Sequence, residues 1–124
     1  TLIQAAREVQ GEFNLRNEFS AGSVGAAIMT RSRNIYTGIC IDVGCGIGFC
    51  AEHSAVAEML KHREREISWV VAVGSEGTFL PPCGRCRELM LQVHKNNRNT
   101  QVVLPGGQVK TLSALMPDSW LGEL

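Results

Sequence analysis

Three cysteines in two separated segments are the feature that most constrains this chain. Cys50 is followed by Ala51 and Glu52, and Cys83 and Cys86 lie farther along in a Pro-Cys-Gly-Arg-Cys-Arg segment. Thiolates are soft ligands that suit zinc, and three protein ligands leave the fourth tetrahedral position open to water. That arrangement is typical of a catalytic zinc site and not of a structural one. The spacing therefore predicts a fold that brings both segments to one Zn²⁺ ion.

Both cysteine segments are predicted at the beginnings of helices. Cys83 and Cys86 have the spacing that lets two thiolates bind one ion from a single turn. The two prolines before them are typical of a helix start, and the apolar residues after them predict a helix to about His94. Cys50 opens a second helical pattern. The dipoles of the two helices would lower the pKa of the thiols and stabilise three thiolates on one dication.

Glu52 supplies a carboxylate that is not expected to bind the metal. It follows Cys50 by two residues, in the first predicted turn, where it can reach a water on the ion. A carboxylate in that position can take a proton from the water, deliver it to a ring nitrogen and then protonate a departing amine. Zinc enzymes that remove an amine from a nucleobase combine this ligand set with a glutamate that does not bind the metal.

The charge of such a site requires compensation. Zinc with three thiolates carries one net negative charge, which makes a bound water harder to ionise. Cationic neighbours are therefore expected beside the ligands. The candidates are Arg85, Arg87 and His53.

At these motifs the chain resembles the cytidine deaminase family, in its small all-cysteine zinc form, and the related blasticidin-S deaminases. The resemblance extends over nearly the whole sequence. The residues that carry it are Cys50-Ala51-Glu52, Pro82-Cys83-Gly84-Arg85-Cys86-Arg87, Ser23-Val24-Gly25-Ala26-Ala27, Thr37-Gly38 and Leu115-Met116-Pro117.

The resemblance implies a fold, a site and an assembly. The fold would be a mixed five-stranded sheet between helices, with zinc on the three cysteines and Glu52 as the proton shuttle. The backbone of Ala51 and the carbonyls near Pro81 and Pro82 would bind the pyrimidine ring and the leaving amine. A homotetramer is implied, with active sites completed across subunits.

Three positions depart from the family pattern where the substrate is expected. Cys40 and Asp42 occupy the positions of an asparagine and a glutamate that bind the ribose hydroxyls, and Gly22 replaces a phenylalanine. Cysteine cannot replace an amide in hydrogen bonding, although Asp42 retains an acceptor on a shorter side chain. Two enzyme hypotheses follow. One is deamination of cytidine or deoxycytidine in pyrimidine salvage, and the other is deamination of blasticidin S or another aminated heterocycle.

Length and composition predict one domain, over residues 1–124. The resemblance implies that its substrate is a small molecule. Twelve basic and twelve acidic residues balance, which disfavours binding to nucleic acid. The sequence has no signal-peptide or membrane-spanning pattern, and an odd number of cysteines does not form a secreted disulfide framework, so we expect a cytoplasmic protein. The sequence begins at Thr1 without a methionine, and we expect a few residues before it.

Patterns of hydrophobic residues predict an α/β protein that alternates helices and strands in a three-layer α-β-α sandwich. Helical spacing predicts a first helix ending near Asn14. The predicted later elements are a hairpin of strands 24–31 and 35–42, a glycine-rich loop over 44–48, a buried strand over 68–74, a strand over 101–104 and a helical turn over 112–116.

Two other interpretations remain open from the residues alone. Cys83 and Cys86 have the spacing of a thioredoxin-like redox pair. A structural zinc site, in a non-catalytic scaffold, requires a fourth ligand, for which Cys45 and His53 are close enough in sequence.

Overall fold

The computed structural model describes residues 1–122 and contains four α-helices and six strands. The helices are α1 (Leu2–Val9), α2 (Ala51–Lys61), α3 (Gly84–Val93) and α4 (Leu112–Leu115). The strands are β1 (Phe13–Asn14), β2 (Ser20–Thr30), β3 (Ile35–Asp42), β4 (Ile67–Val73), β5 (Gln101–Val103) and β6 (Val109–Thr111). Within residues 1–122, none of the helices combines the length and apolar composition needed to cross a membrane.

Strand β2 is paired on both of its edges. Ile28 lies opposite Tyr36 of antiparallel β3 and opposite Val70 of antiparallel β4. β1 pairs with the first residues of β2, β5 joins β4 in parallel, and β6 joins β5 antiparallel. The sheet is therefore mixed, as expected, but has six strands instead of five. The short β1 and β6 are exposed at every residue, so they lack the apolar alternation by which a strand is predicted.

Helices cover both faces of the sheet, which confirms the three-layer α-β-α sandwich. Ala27 of β2 packs in a cluster with Ala6 of α1, whereas its neighbour Ile28 packs with Met59 of α2 and Met90 of α3. Successive residues of a strand point to opposite faces, so this pair of contacts assigns α1 to one face and α2 and α3 to the other. Both cysteine-bearing helices therefore lie on the same side of the sheet.

The first helix is shorter than predicted, and its predicted end near Asn14 is wrong. Helix α1 ends at Val9, and Gln10 has an extended backbone. The amide of Gly11 then donates a 2.8 Å hydrogen bond to the carbonyl of Gly22, which brings the chain to the start of β2. Phe13 has helical spacing in the sequence but belongs to β1, where it is 52% exposed. Pairing with the sheet has overridden the local helical pattern.

Gly38 lets β3 approach α2 closely. A Cβ atom added at this residue would lie 2.4 Å from the backbone nitrogen of Ala55 and 2.7 Å from the carbonyl oxygen of Ala51. Any larger residue would therefore separate strand and helix. This contact places the first turns of α2, which follow Cys50 and include Glu52, against the middle of β3.

Glu64 joins the turn after α2 to β3 and to the turn that precedes β3. Its carboxylate accepts 2.6 Å from the Tyr36 hydroxyl and 2.8 Å from the Asn34 side-chain amide. The Tyr36 hydrogen bond, with those of Thr30 and Asn34, lowers the pKa of Glu64 to about 2 from an ordinary value of 4.5. A folded-state pKa below the unfolded value means that this group stabilises the fold above pH 4.5, and that the contribution is lost as the pH falls toward about 2.

We expect Glu64→Gln to weaken the acid dependence of unfolding. The denaturant midpoint of the unaltered chain should fall between pH 5 and pH 2, and that of the variant should fall less, because one depressed carboxyl group has been removed. The matched control is Glu12→Gln, at an exposed carboxylate outside this hydrogen-bond network. Equal acid dependence in Glu64→Gln and Glu12→Gln would contradict the assignment.

Candidate metal centre and active site

Three cysteine side chains from two helix starts converge at one point. Cys50 is the N-cap residue of α2, Cys83 is the N-cap residue of α3, and Cys86 lies in the first turn of α3. Their sulfur atoms lie within 4.8 Å of one another. The sulfur of Cys83 lies 3.4 Å from that of Cys50 and 3.5 Å from that of Cys86. The fold thus joins the two cysteine segments of the sequence.

The three thiols fit a zinc ion with one open position. Tetrahedral zinc at about 2.3 Å from each sulfur places the sulfurs about 3.8 Å apart, close to the observed separations. All five cysteines are free, so none of these contacts is a disulfide. Within the described residues no further Cys, His, Asp or Glu joins the group, and neither Cys45 nor His53 therefore closes the shell.

The electrostatics of the thiols favour a cation. Burial, together with the Cys83 thiol, raises the pKa of Cys50, and burial together with the Glu52 carboxylate raises the pKa of Cys86. Burial also acts to raise the pKa of Cys83. Hydrogen bonds from the Cys86 backbone and from the two other thiols outweigh burial, so the pKa of Cys83 is lowered. Three adjacent thiols thus resist ionising together, and a bound dication would remove that resistance.

Glu52 lies beside the thiols and is nearly enclosed. Its side chain is 4% exposed and follows Ala51 in the first turn of α2. Burial raises the pKa of its carboxyl group, and a hydrogen bond from the Cys86 thiol offsets part of that rise. A carboxyl group with a raised pKa can both accept and return a proton near neutral pH.

The three expected cations have different surroundings. Burial, and then the positive charge of Arg85, lowers the pKa of His53, which therefore remains neutral, with Nδ1 3.4 Å from the Cys86 sulfur. Arg87 donates from Nε to the Pro82 carbonyl at 2.7 Å and from Nη1 to the Leu115 carbonyl at 2.9 Å. His53 thus differs from the expectation, because it is uncharged, whereas charge compensation by Arg85 and Arg87 stays a prediction. Arg85 lines the cavity beside the thiols.

A cavity of about 480 Å³ opens over the thiols and Glu52. Its volume lies within the range of small-molecule sites, about 300–1,000 Å³. Ala51 and Asp42, both predicted to contact the substrate, line it. Pro82 does not, because its buried carbonyl accepts the hydrogen bond from Arg87, and Pro81 lines the cavity in its place.

Ser23 also lines the cavity, although it was not among the predicted site residues. The pairing of β2 with β3 shifts register between Ala21 and Gly25, so that residues 22–24 form a bulge opposite Cys40. The bulge directs the Ser23 hydroxyl to the Cys40 sulfur at 3.2 Å and to Oδ2 of Asp42 at 3.4 Å. The only signal in the sequence is the glycine before Ser23, which is common at bulges.

Gly22 departs from the family pattern for a structural reason. Its φ of 85° lies in the left-handed region, and an added Cβ atom would lie 2.3 Å from the carbonyl oxygen of Gly11. A phenylalanine therefore cannot occupy this position in the present backbone. The cavity consequently lacks an aromatic side chain on this side, and the Ser23 segment forms its wall.

Comparison with known proteins identifies cytidine deaminases among the relatives of this chain. The family model of the cytidine and deoxycytidylate deaminase zinc-binding region matches residues 1–102. A cytidine deaminase of Halalkalibacterium halodurans is 25% identical over 85% of this chain and 82% of its own length. One of Mycobacterium tuberculosis is 31% identical over 60% of this chain and 56% of its own length.

Solved structures resemble the whole fold. The crystal structure of cytidine deaminase from Burkholderia pseudomallei has a TM-score of 0.77 at 28% identity, over 96% of both chains. That of cytidine deaminase from Mycobacterium tuberculosis has a TM-score of 0.74 at 27% identity, over 96% of this chain and 90% of the other. Sequence and fold agree, and the chain belongs to the cytidine and deoxycytidylate deaminase family.

Proposed function

We propose that this protein is a zinc-dependent hydrolase that deaminates a cytosine-type nucleoside to the uracil-type nucleoside and ammonia. The observation that carries the proposal is the buried Glu52 beside three converging thiols at the base of an open cavity. The named activity of the relatives supports it, since they are cytidine deaminases.

The metal would be held by Cys50, Cys83 and Cys86. When bound, zinc acts as a Lewis acid that makes water acidic near neutral pH. Arg85, which lines the cavity and raises the local positive potential, offsets part of the negative charge of the thiolates. His53 contributes as a neutral neighbour of the Cys86 sulfur.

Glu52 moves the protons of the reaction. It takes a proton from the attacking water, whose oxygen forms a bond to the carbon that carries the amine, and gives that proton to the adjacent ring nitrogen. It then transfers the second proton of the water to the amine nitrogen as the carbon–nitrogen bond breaks and its electron pair leaves with the nitrogen. The products are the ring carbonyl and ammonia. The burial that raises the pKa of Glu52 suits both directions of transfer.

Backbone groups bind the ring. Ala51 and Pro81 both line the cavity, and their backbone polar groups can hydrogen-bond the ring and the leaving amine. The carbonyl of Pro82 is occupied by Arg87, which stabilises the backbone at the start of α3. Pro82 thus supports the position of Pro81 without being a contact of the substrate itself.

We further propose a cytoplasmic homotetramer. Five free cysteines suit a reducing compartment. Ile47 is 75% exposed and the adjacent Phe49, at the cavity edge, is 38% exposed, and a neighbouring subunit would cover both. Light scattering on the eluted peak of a size-exclusion column measures the assembly, and a monomeric mass would contradict it.

Ammonia release tests the function directly. Zinc-loaded protein is incubated with cytidine, deoxycytidine, cytosine and blasticidin S, and the Glu52→Gln variant is the control. Release from at least one compound by the unaltered protein alone is the expected result. The absence of release from every compound would contradict the proposed function.

A further inference from the structure

Three polar side chains that are not among the predicted zinc ligands form one wall of the cavity. Ser23 of β2 and Cys40 and Asp42 of β3 all line the cavity, and they are referred to below as the Ser23–Asp42 wall. Cys40 and Asp42 are two residues apart on the strand, so their side chains are on the same face. Neither zinc binding nor the proton transfers of Glu52 use any of the three.

Cys40 holds this wall in place. Its side chain is 6% exposed, and its sulfur accepts a 3.3 Å hydrogen bond from the amide of Val24 in the bulge of β2. The same sulfur lies 3.2 Å from the Ser23 hydroxyl and 3.5 Å from Oδ2 of Asp42. A thiol is only a weak donor and acceptor, so Cys40 positions its neighbours and offers little to a ligand.

Asp42 is the strong hydrogen-bonding group of the wall. Its two protein hydrogen bonds, from Ser23 at 3.4 Å and Cys40 at 3.5 Å, both end on Oδ2 and come from neutral donors. Within residues 1–122 it forms no ion pair. A carboxylate accepts hydrogen bonds and donates none, so the group that meets this wall must be a donor.

The charge of the cavity selects among donors. Three thiolates and Asp42 outnumber the charges of a bound dication and of Arg85, the one cationic side chain that lines the described cavity. The excess is negative, which repels a phosphate and attracts a cation. A hydrogen bond between a protonated amine and a carboxylate is about twice as strong as one between neutral groups.

We propose that the Ser23–Asp42 wall makes the enzyme selective for cytosine-type compounds that carry a protonated amine on the substituent of the ring, in preference to those that carry only hydroxyl groups. The inference rests on the proposed function and narrows its substrate class. Asp42 is the specificity-determining residue, and Cys40 is a positioning residue that holds the bulge and the carboxylate.

Matched ligands test the preference without turnover. Dissociation constants are measured by calorimetry for cytidine and for its 5′-amino-5′-deoxy and 3′-amino-3′-deoxy analogues, in the Glu52→Gln variant so that no reaction occurs. We expect at least one amino analogue to bind about tenfold more tightly than cytidine. The preference should decrease as salt is added, because Asp42 is exposed to solvent.

The role of Asp42 is tested by substitutions in the same Glu52→Gln variant. Asp42→Asn keeps the size and an acceptor but removes the charge, and should reduce the preference to near unity. Asp118→Asn, an equal change of charge at an exposed residue that does not line the cavity, should retain it. Equal or tighter binding of cytidine than of both amino analogues would overturn the inference, and so would a preference that survives Asp42→Asn.

Ammonia release from these compounds by the unaltered enzyme is measured in parallel. Release with no preference for the amine overturns the inference alone, whereas no release and no binding overturn the proposed function with it.

Discussion

Replacing Cys83 by serine should abolish stoichiometric zinc binding while leaving the fold intact. The Cys83 sulfur contacts both other thiols, at 3.4 and 3.5 Å, so its removal leaves two ligands for the ion. We expect zinc affinity to fall by more than about 100-fold, since losing a ligand costs more than losing one of the groups that support it. Metal content per chain, measured by atomic absorption after dialysis, should fall from about one to near zero.

The position of Cys83 makes this variant informative. It is an exposed N-cap residue whose side chain makes no capping hydrogen bond, and serine is a favoured N-cap, so the substitution should not weaken the start of α3. The matched control is Cys45→Ser, because Cys45 is exposed and lies outside the thiol group of the described chain. The melting temperature of the unaltered protein and of Cys45→Ser should fall when a chelator is added, and that of Cys83→Ser should not. Full zinc content in Cys83→Ser, or its loss in Cys45→Ser, would contradict the assigned ligand set.

Replacing Glu52 by glutamine should remove turnover and retain zinc. The amide has nearly the same shape but cannot carry the proton from water to the ring and the amine, and general acid–base catalysis contributes about 10²–10⁴-fold. We expect kcat to fall by at least about 100-fold, the lower end of that range, because one residue performs both transfers. Ammonia release under saturating substrate measures the change.

Stability provides an independent measure on the same variant. Burial raises the pKa of Glu52, so the folded state disfavours its charged form at neutral pH, and glutamine removes that cost. The free energy of unfolding of Glu52→Gln should therefore equal or exceed that of the unaltered protein. Glu58→Gln, on the same helix at a partly exposed side chain paired with Lys61, is the control and should keep full activity. Retained turnover in Glu52→Gln would contradict its role as the proton carrier.

Local spacing in the sequence was sufficient to predict the chemistry of the site. Cys50, Cys83 and Cys86 could be grouped because the ligand count, a Cys-x-x-Cys turn and a helix start are all properties of neighbouring residues. The same holds for Glu52, whose distance from Cys50 along a helix is set within one turn. The central strand over 68–74 was readable for the same reason, since its run of apolar residues reports burial on both faces.

Roles that depend on nonlocal contacts were not readable in this way. Arg87 is next to a ligand in sequence, yet its guanidinium binds the carbonyls of Pro82 and Leu115, and the second of these is 28 residues away. His53 was expected to be cationic, but its charge depends on burial and on Arg85, neither of which spacing reveals. A nonlocal contact also distinguishes the two prolines. The Pro82 carbonyl accepts a hydrogen bond from Arg87, and Pro81, not Pro82, lines the cavity.

The sequence by itself therefore determined the family and the layered α/β class of the fold, and it predicted the ligand set and the proton carrier, because each follows from residue type at short range or from a motif. The tertiary structure alone decided the short strands β1 and β6 and the wall of the cavity formed by Ser23, Cys40 and Asp42. That wall depends on the register between two strands and on a bulge stabilised by a sulfur from the opposite strand. Register is a property of the paired strands, and no single segment of the chain encodes it.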